Sequence, residues 1–187
     1  MPKSFNPKFG LVSLMIVLAA MSRLLPHPPN FTAIGALCLL GAAYYSKNWW
    51  AILVPILAFW VSDLVLNNVI YAEFFEGFSF VSIHFMWSAI AIVAMVAFGR
   101  VIMKKVNVKS VFGGAIGVSL IFFLISNLGI WISGAMYPLT AAGLMACYTA
   151  GLPFLLNSVA GNLFFGAVLF GSYSFFQSKV PALQQAH

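Results

Sequence analysis

FTAIGALCLLGAAYY, residues 31–45, is an apolar run whose reading sets how many times this chain crosses a membrane. A spanning helix needs about 20 apolar residues, roughly 17–25, so the run is short for a full crossing and suits a tilted span or a re-entrant piece. Five longer apolar segments flank it, at residues 9–25, 49–66, 80–103, 110–133 and 152–176. If residues 31–45 cross, the chain has six spans. A cytoplasmic N-terminus then puts Lys3, Lys8, Lys47, Arg100, Lys104, Lys105, Lys109 and Lys179 inside and leaves Arg23 alone outside. Glu73 and Glu76 also fall outside, where the positive-inside rule is indifferent to acids. If the run does not cross, every later loop inverts and the Arg100–Lys109 cluster faces out, against that rule. The charges therefore predict an all-α membrane protein, a six-transmembrane-helix bundle forming one integral membrane domain over residues 1–187. Both termini would be cytoplasmic.

Composition excludes most other classes. The chain is 63% hydrophobic and 6% charged, against about 25% charged in soluble domains. The net charge of +6 sits between apolar spans, so it reports topology and not a nucleic-acid partner. Cys38 and Cys147 lack C-x-x-C spacing, which argues against a disulfide framework or a zinc site. The first apolar run resembles a signal peptide, but it continues through Leu24–Leu25 with Arg23 and Pro26 beyond any cleavage site. It is expected to be retained as a span.

Lipid satisfies no polar group, so polar side chains within spans face other helices or a cavity. Asp63 and Asn67 lie four apart near the outer end of the third span. His84, Trp87 and Ser88 share a face at the start of the fourth. Ser126, Asn127 and Trp131 lie where the fifth span exits, and Asn157, Ser158 and Asn162 where the sixth enters. The inner halves, such as residues 90–98 and 164–170, are nearly pure hydrocarbon. This distribution predicts a cup that is polar toward the outside and sealed toward the inside. An acid within a span is costly and functional by default, and Arg23 at the same depth is the expected partner of Asp63.

The first outer loop, SRLLPHPPNFT at residues 22–32, borders the mouth of this cup, and its prolines hold His27 and Asn30 in place. The outer loops at residues 67–79 and 134–151, the latter with a short helix expected at 140–149, are read as interfacial segments or lids. Catalytic and nucleotide signatures do not occur: there is no G-x-x-x-x-G-K-[ST], no H-E-x-x-H and no G-x-S-x-G. The expectation is a protein that is not an enzyme and has no cofactor.

The local wording resembles a family of uncharacterised bacterial membrane proteins. The resemblance lies in SRLLPHPPNFT at 22–32, Ser62–Asp63, Ser126–Asn127 with Gly129 and Trp131, Tyr137–Pro138, Cys147–Tyr148 and Leu152–Phe154. It covers about residues 10–172. In topology the chain also resembles the substrate-binding S components of energy-coupling factor (ECF) vitamin transporters. That resemblance implies high-affinity capture of a vitamin-type or other small micronutrient in an outer-facing pocket. It also implies partnership with a transmembrane coupling protein and ATPase subunits. The substrate-binding set expected here is Arg23, His27, Asn30, Asp63, Asn67, His84, Asn127, Trp131, Tyr137 and Asn157. Trp131 and Tyr137 would stack on a ring, the three asparagines of the spans would orient it, and Arg23–Asp63 would set the charge. The alternatives are a scaffold in envelope assembly and a small channel or carrier.

Overall fold

The computed structural model describes residues 6–74 and 77–184, so Lys3 and Glu76 lie outside the described residues. The described chain is all α. Its main helices are α1 (Pro7–Met21), α2 (Ile34–Tyr44), α3 (Asn48–Val65), α4 (Ile83–Ile102), α5 (Val108–Ile132) and α6 (Ala141–Lys179). A single turn at Pro181–Gln184 follows. Successive helices run antiparallel. One end of the bundle, here called basal, collects the start of α1, the α2–α3 and α4–α5 turns and the end of α6. The other end, apical, carries the three longer connections at residues 22–33, 66–82 and 133–140.

Several helix starts are written locally. Asn6 accepts hydrogen bonds from the backbone N–H groups of Lys8 and Phe9, with Pro7 in the first turn. Ser82 caps α4 through Phe85, Asn107 and Ser110 cap α5 reciprocally, and Thr140 caps α6 through Gly143. Each satisfies amide donors that a helix start leaves without intrahelical partners.

Five helical segments are long and apolar enough to cross a membrane, and α2 is not one of them. It has 11 residues, about 16 Å at 1.5 Å per residue, roughly half the hydrocarbon thickness. The expectation that residues 31–45 form a sixth spanning helix is therefore corrected. The chain does return to the basal end, but it descends through the Pro-rich stretch 25–33 as non-helical backbone and coils only for the basal half. Three prolines keep residues 26–29 out of helix, because the ring removes a donor and the residue before it is driven extended.

Short as it is, α2 is the centre of the molecule. Every residue from Ile34 to Ala42 is buried, and α2 touches α1, α3, α4, α5 and α6. Leu37, Leu39 and Leu40 interlock with Val12, Ile16, Ile92, Met95, Val96 and Val118, all buried. Around this core the outer faces of the long helices present Leu14, Leu18, Leu57, Met86, Ile90, Phe112, Leu120, Leu124, Leu156 and Phe164 to the surroundings. So wide an apolar belt marks a multi-pass membrane architecture.

The second departure is α6. Residues 140–149 and the span at 152–176 form one helix of 39 residues in place of a short helix and a separate span. Pro153 does not break it, because its apical turns stay packed along α5. There Tyr148 Oη donates to the Leu124 carbonyl at 2.7 Å, and the Cys147 thiol donates to the Asn127 carbonyl at 3.4 Å. At the basal end, the Tyr173 ring stacks on Tyr44 with centroids 3.7 Å apart.

Two polar devices hold α2. At its start, where no side chain of its own caps it, the buried Asn162 of α6 accepts from the Ala36 N–H at 3.0 Å. The same amide donates to Ser119 of α5 at 2.9 Å. Gly35 permits this approach: a Cβ there would lie 2.5 Å from the Val118 side chain and 2.7 Å from the Asn162 amide. At its finish, Arg100 of α4 donates to the Ala42 and Tyr45 carbonyls, both at 2.8 Å, a cation on the negative end of the helix dipole.

Candidate functional site

Because α2 fills only the basal half, the five long helices enclose unfilled space above its first turn. That space is a cavity of about 320 Å³ lined by residues of all six helices' apical parts or their connections. Its floor is Ile34, the first residue of α2. Near its apical margin are the exposed His84, Ser133 and Met136. An open lateral groove of about 690 Å³ lies between the basal parts of α5 and α6, lined by residues such as Tyr44, Phe112, Gly166 and Phe170. It shares no lining residue with the apical cavity.

One wall of the cavity is an ion pair. Arg23, in the single turn Ser22–Leu24 after α1, reaches α3. Its Nη2 donates to Asp63 Oδ1 at 3.2 Å, and Nη1 donates to Ser62 Oγ at 2.7 Å and the Phe59 carbonyl at 3.3 Å. The guanidinium also lies 3.9 Å from the centroid of the Phe59 ring. Asp63 spends its other oxygen on Asn67 Nδ2 at 3.3 Å and Ser82 Oγ at 3.5 Å. The side chains are 14% and 15% exposed. Breaking such a pair by removing one partner strands the other, which makes it a fixture of the wall.

Six of the ten residues expected from the sequence line this cavity: Arg23, Asn30, Asp63, His84, Asn127 and Tyr137. Asn30 does so from a left-handed backbone position (φ 62°), which asparagine tolerates. The other four do not line it. His27 is exposed, with Nδ1 2.6 Å from the Leu25 carbonyl oxygen. Asn67 serves the Asp63 carboxylate from behind. Trp131 turns its Nε1 to the Pro138 carbonyl at 3.0 Å and braces the apical connection. Asn157 donates to the Pro29 carbonyl at 2.9 Å, fastening the Pro-rich stretch to α6. All four share the polar character of the site residues. Asn67 and Trp131 sit one turn further toward the apical end than Asp63 and Asn127, and His27 and Asn157 are turned to backbone carbonyls.

Trp87 and Ser88 of α4 and Ser126 of α5 line the cavity without belonging to the expected set. The i, i+3, i+4 spacing of His84, Trp87 and Ser88 was the signal, since it puts all three on one helical face. Trp87 takes the aromatic place expected for Trp131. Its indole lies flat on α5 at Gly129, where any Cβ would collide with the ring.

The serines separate into two behaviours. Ser22, Ser62, Ser119 and Ser133 donate to carbonyls three or four residues back on their own helices, at 2.6–2.7 Å. This is the usual fate of a hydroxyl in an apolar helix. Ser88 and Ser126 make no side-chain hydrogen bond among the described residues, and neither does His84. Ser158, Ser172 and Ser174 of α6 are equally without one. The distinction of Ser88, Ser126 and His84 is that they converge on one cavity.

Among the described residues, no group of three or more His, Cys, Asp or Glu is arranged to hold a metal ion. Cys38 and Cys147 are both buried and free.

Comparison with protein families matches residues 3–183 to a family described as "Family of unknown function (DUF6580)". The chain belongs to the DUF6580 family. No curated protein and no solved structure shows significant similarity to it.

Proposed function

We propose that this DUF6580 protein is a substrate-binding membrane protein that captures a small molecule in the apical cavity for uptake. The observation that carries this reading is the convergence of Ser88, Ser126 and His84, none hydrogen-bonded within the described protein, on a cavity of about 320 Å³. In an apolar bundle such groups are normally satisfied internally, and a bound molecule would satisfy them. The volume lies at the small end of ligand pockets, roughly 300–1,000 Å³. The dry packing of α2 beneath the cavity favours capture over a channel, which would need a polar path through both halves.

The apical end is assigned to the outer side of a bacterial cytoplasmic membrane, because Lys47, Arg100, Lys104, Lys105, Lys109 and Lys179 all lie at the basal end. In this reading the protein works as ECF S components do. It supplies the binding site, and a separate coupling protein with ATPase subunits supplies the energy.

The test is native mass spectrometry of the protein purified from its host in mild detergent. Wild type should carry a small molecule that Asn127→Leu and Trp87→Leu proteins, still monodisperse, have lost. Wild type emerging empty from every growth medium, including one supplemented with vitamins, contradicts capture. Impermeant maleimide added to intact cells should label Ser133→Cys and spare Lys109→Cys, and the reverse pattern inverts the orientation.

A further inference from the structure

We propose that the occupant of the apical cavity is electroneutral and planar: an uncharged heteroaromatic ring system bearing both hydrogen-bond donors and acceptors. This inference rests on the capture reading above and narrows it to a ligand class.

Neutrality follows from the ion pair. Arg23 and Asp63 cancel one another, and each is already engaged. Both Nη1 protons have acceptors in Ser62 and the Phe59 carbonyl, Nη2 holds Asp63, and both Asp63 oxygens accept. A ligand carboxylate brought to Arg23 would stand beside Asp63 and be repelled. A ligand cation brought to Asp63 would meet Arg23. Among the described residues, Asp63 and Arg23 are the only acid and the only Lys or Arg in the lining, so a charged ligand meets no uncancelled Asp, Glu, Lys or Arg there. Burying a charge without a partner is costly.

Planarity follows from the walls. Aromatic rings reach the cavity from several elements: Phe59 on α3, Trp87 on α4, Phe122 on α5, Tyr137 on the apical connection and Phe154 on α6. A lining this rich in rings favours a flat guest that can stack against them. Hydrogen bonding follows from the unpartnered groups. The Ser88 and Ser126 hydroxyls each donate and accept, and so does a neutral His84 ring. A pure hydrocarbon would leave all three unsatisfied.

Three bicyclic probes of matched size separate the possibilities: quinolin-2-one (neutral), quinoline-2-carboxylate (anion) and N-methylquinolinium (cation). Each is titrated by calorimetry into wild-type protein stripped of retained molecules. Quinolin-2-one should bind at least about tenfold more tightly than either ion. Ser88→Ala/Ser126→Ala should weaken it about tenfold or more. Trp87→Leu should do the same, whereas Trp87→Phe, which keeps a flat face, should recover part of the loss. Lys109→Gln at the basal end should bind as wild type, and size-exclusion profiles establish that each variant is folded.

Either ion binding as tightly as quinolin-2-one overturns neutrality and leaves capture standing. If no probe binds, the molecule retained in native mass spectrometry decides. A neutral ring system upholds the inference, and a charged or non-planar molecule overturns it alone. No retained molecule together with no probe binding overturns both the inference and the capture reading.

Discussion

Two arginines stand toward opposite ends of the bundle, and their surroundings differ as its two halves do. Arg100, at the basal end, has no acid partner among the described residues: its Nη1 closes the C-terminus of α2 through the Ala42 and Tyr45 carbonyls, while its Nε and Nη2 are buried without hydrogen-bond partners there. Arg23, at the apical end, is matched by Asp63, and the pair forms part of the cavity wall. At the basal end Arg100 Nη1 holds one helix in place, and the nitrogens it leaves unbonded are buried in packing. Apical polarity is partly spent on the wall and partly left facing empty space. A polar residue in a span is structural where it holds a neighbour, and available where an unbonded group also faces open space.

The sharpest way to break this contrast is at the ion pair. Asp63→Ala leaves the Arg23 guanidinium buried without its counter-charge and should cost about 3–5 kcal/mol of stability, read as a large fall in thermal midpoint in detergent. The double replacement Arg23→Met/Asp63→Leu should recover most of that loss. A double variant as unstable as Asp63→Ala would show that packing, and not stranded charge, was at stake.

Next comes the half-length helix α2. Gly35→Val drives a branched side chain into Val118 and Asn162 and should destabilise by about 3 kcal/mol, the upper part of the overpacking range. Protease resistance of the folded protein should fall in step. A wild-type midpoint would mean that α2 is not held tightly at its start.

Arg100→Met should have a smaller effect, about 1–3 kcal/mol, because it removes a charged donor from two carbonyls at the end of α2. Its influence on ligand retention should be nil once folded protein is compared with folded protein. Lost retention at full folding would dissolve the division of labour between the halves.

Ser126→Ala should do least to stability, under about 0.5 kcal/mol, since the hydroxyl holds nothing in the protein. Its effect belongs to binding, where retention should drop. A marked loss of stability with unchanged retention would move Ser126 to the structural side of the comparison.

Much of this was legible along the chain. The long apolar segments, the alternation of direction and the Arg23–Asp63 pairing follow from hydrophobic run length and from the cost of an isolated charge in lipid. Asn30, Asp63, His84 and Asn127 announced themselves as polar groups where polarity is expensive. The length of α2 was not legible, because Phe31, Thr32 and Ala33 read as apolar span until the descending prolyl stretch is seen to carry them in non-helical form. The unbroken α6 was hidden too, since glycine, threonine and proline around residues 149–153 have the wording of a turn, and only packing along α5 overrides it.

By itself, then, the sequence determined that this is a bundle of membrane-length helices with its cations at one end and its polar side chains toward the other. Those properties depend on local free energies: transfer of each segment out of water, and the charge of each loop. The tertiary structure decided that one helix stops halfway, that its first turn is capped by Asn162 from far along the chain, and that the space left above it is a cavity. It also decided which polar groups, Ser88, Ser126 and His84 among them, remain unbonded there and which, such as Asn67, Trp131 and Asn157, are used up as braces. Whether a polar side chain lines the cavity or is spent as a brace depends on its depth in the bundle and on the partner that packing brings to it, which the pattern of polar residues along the chain does not encode.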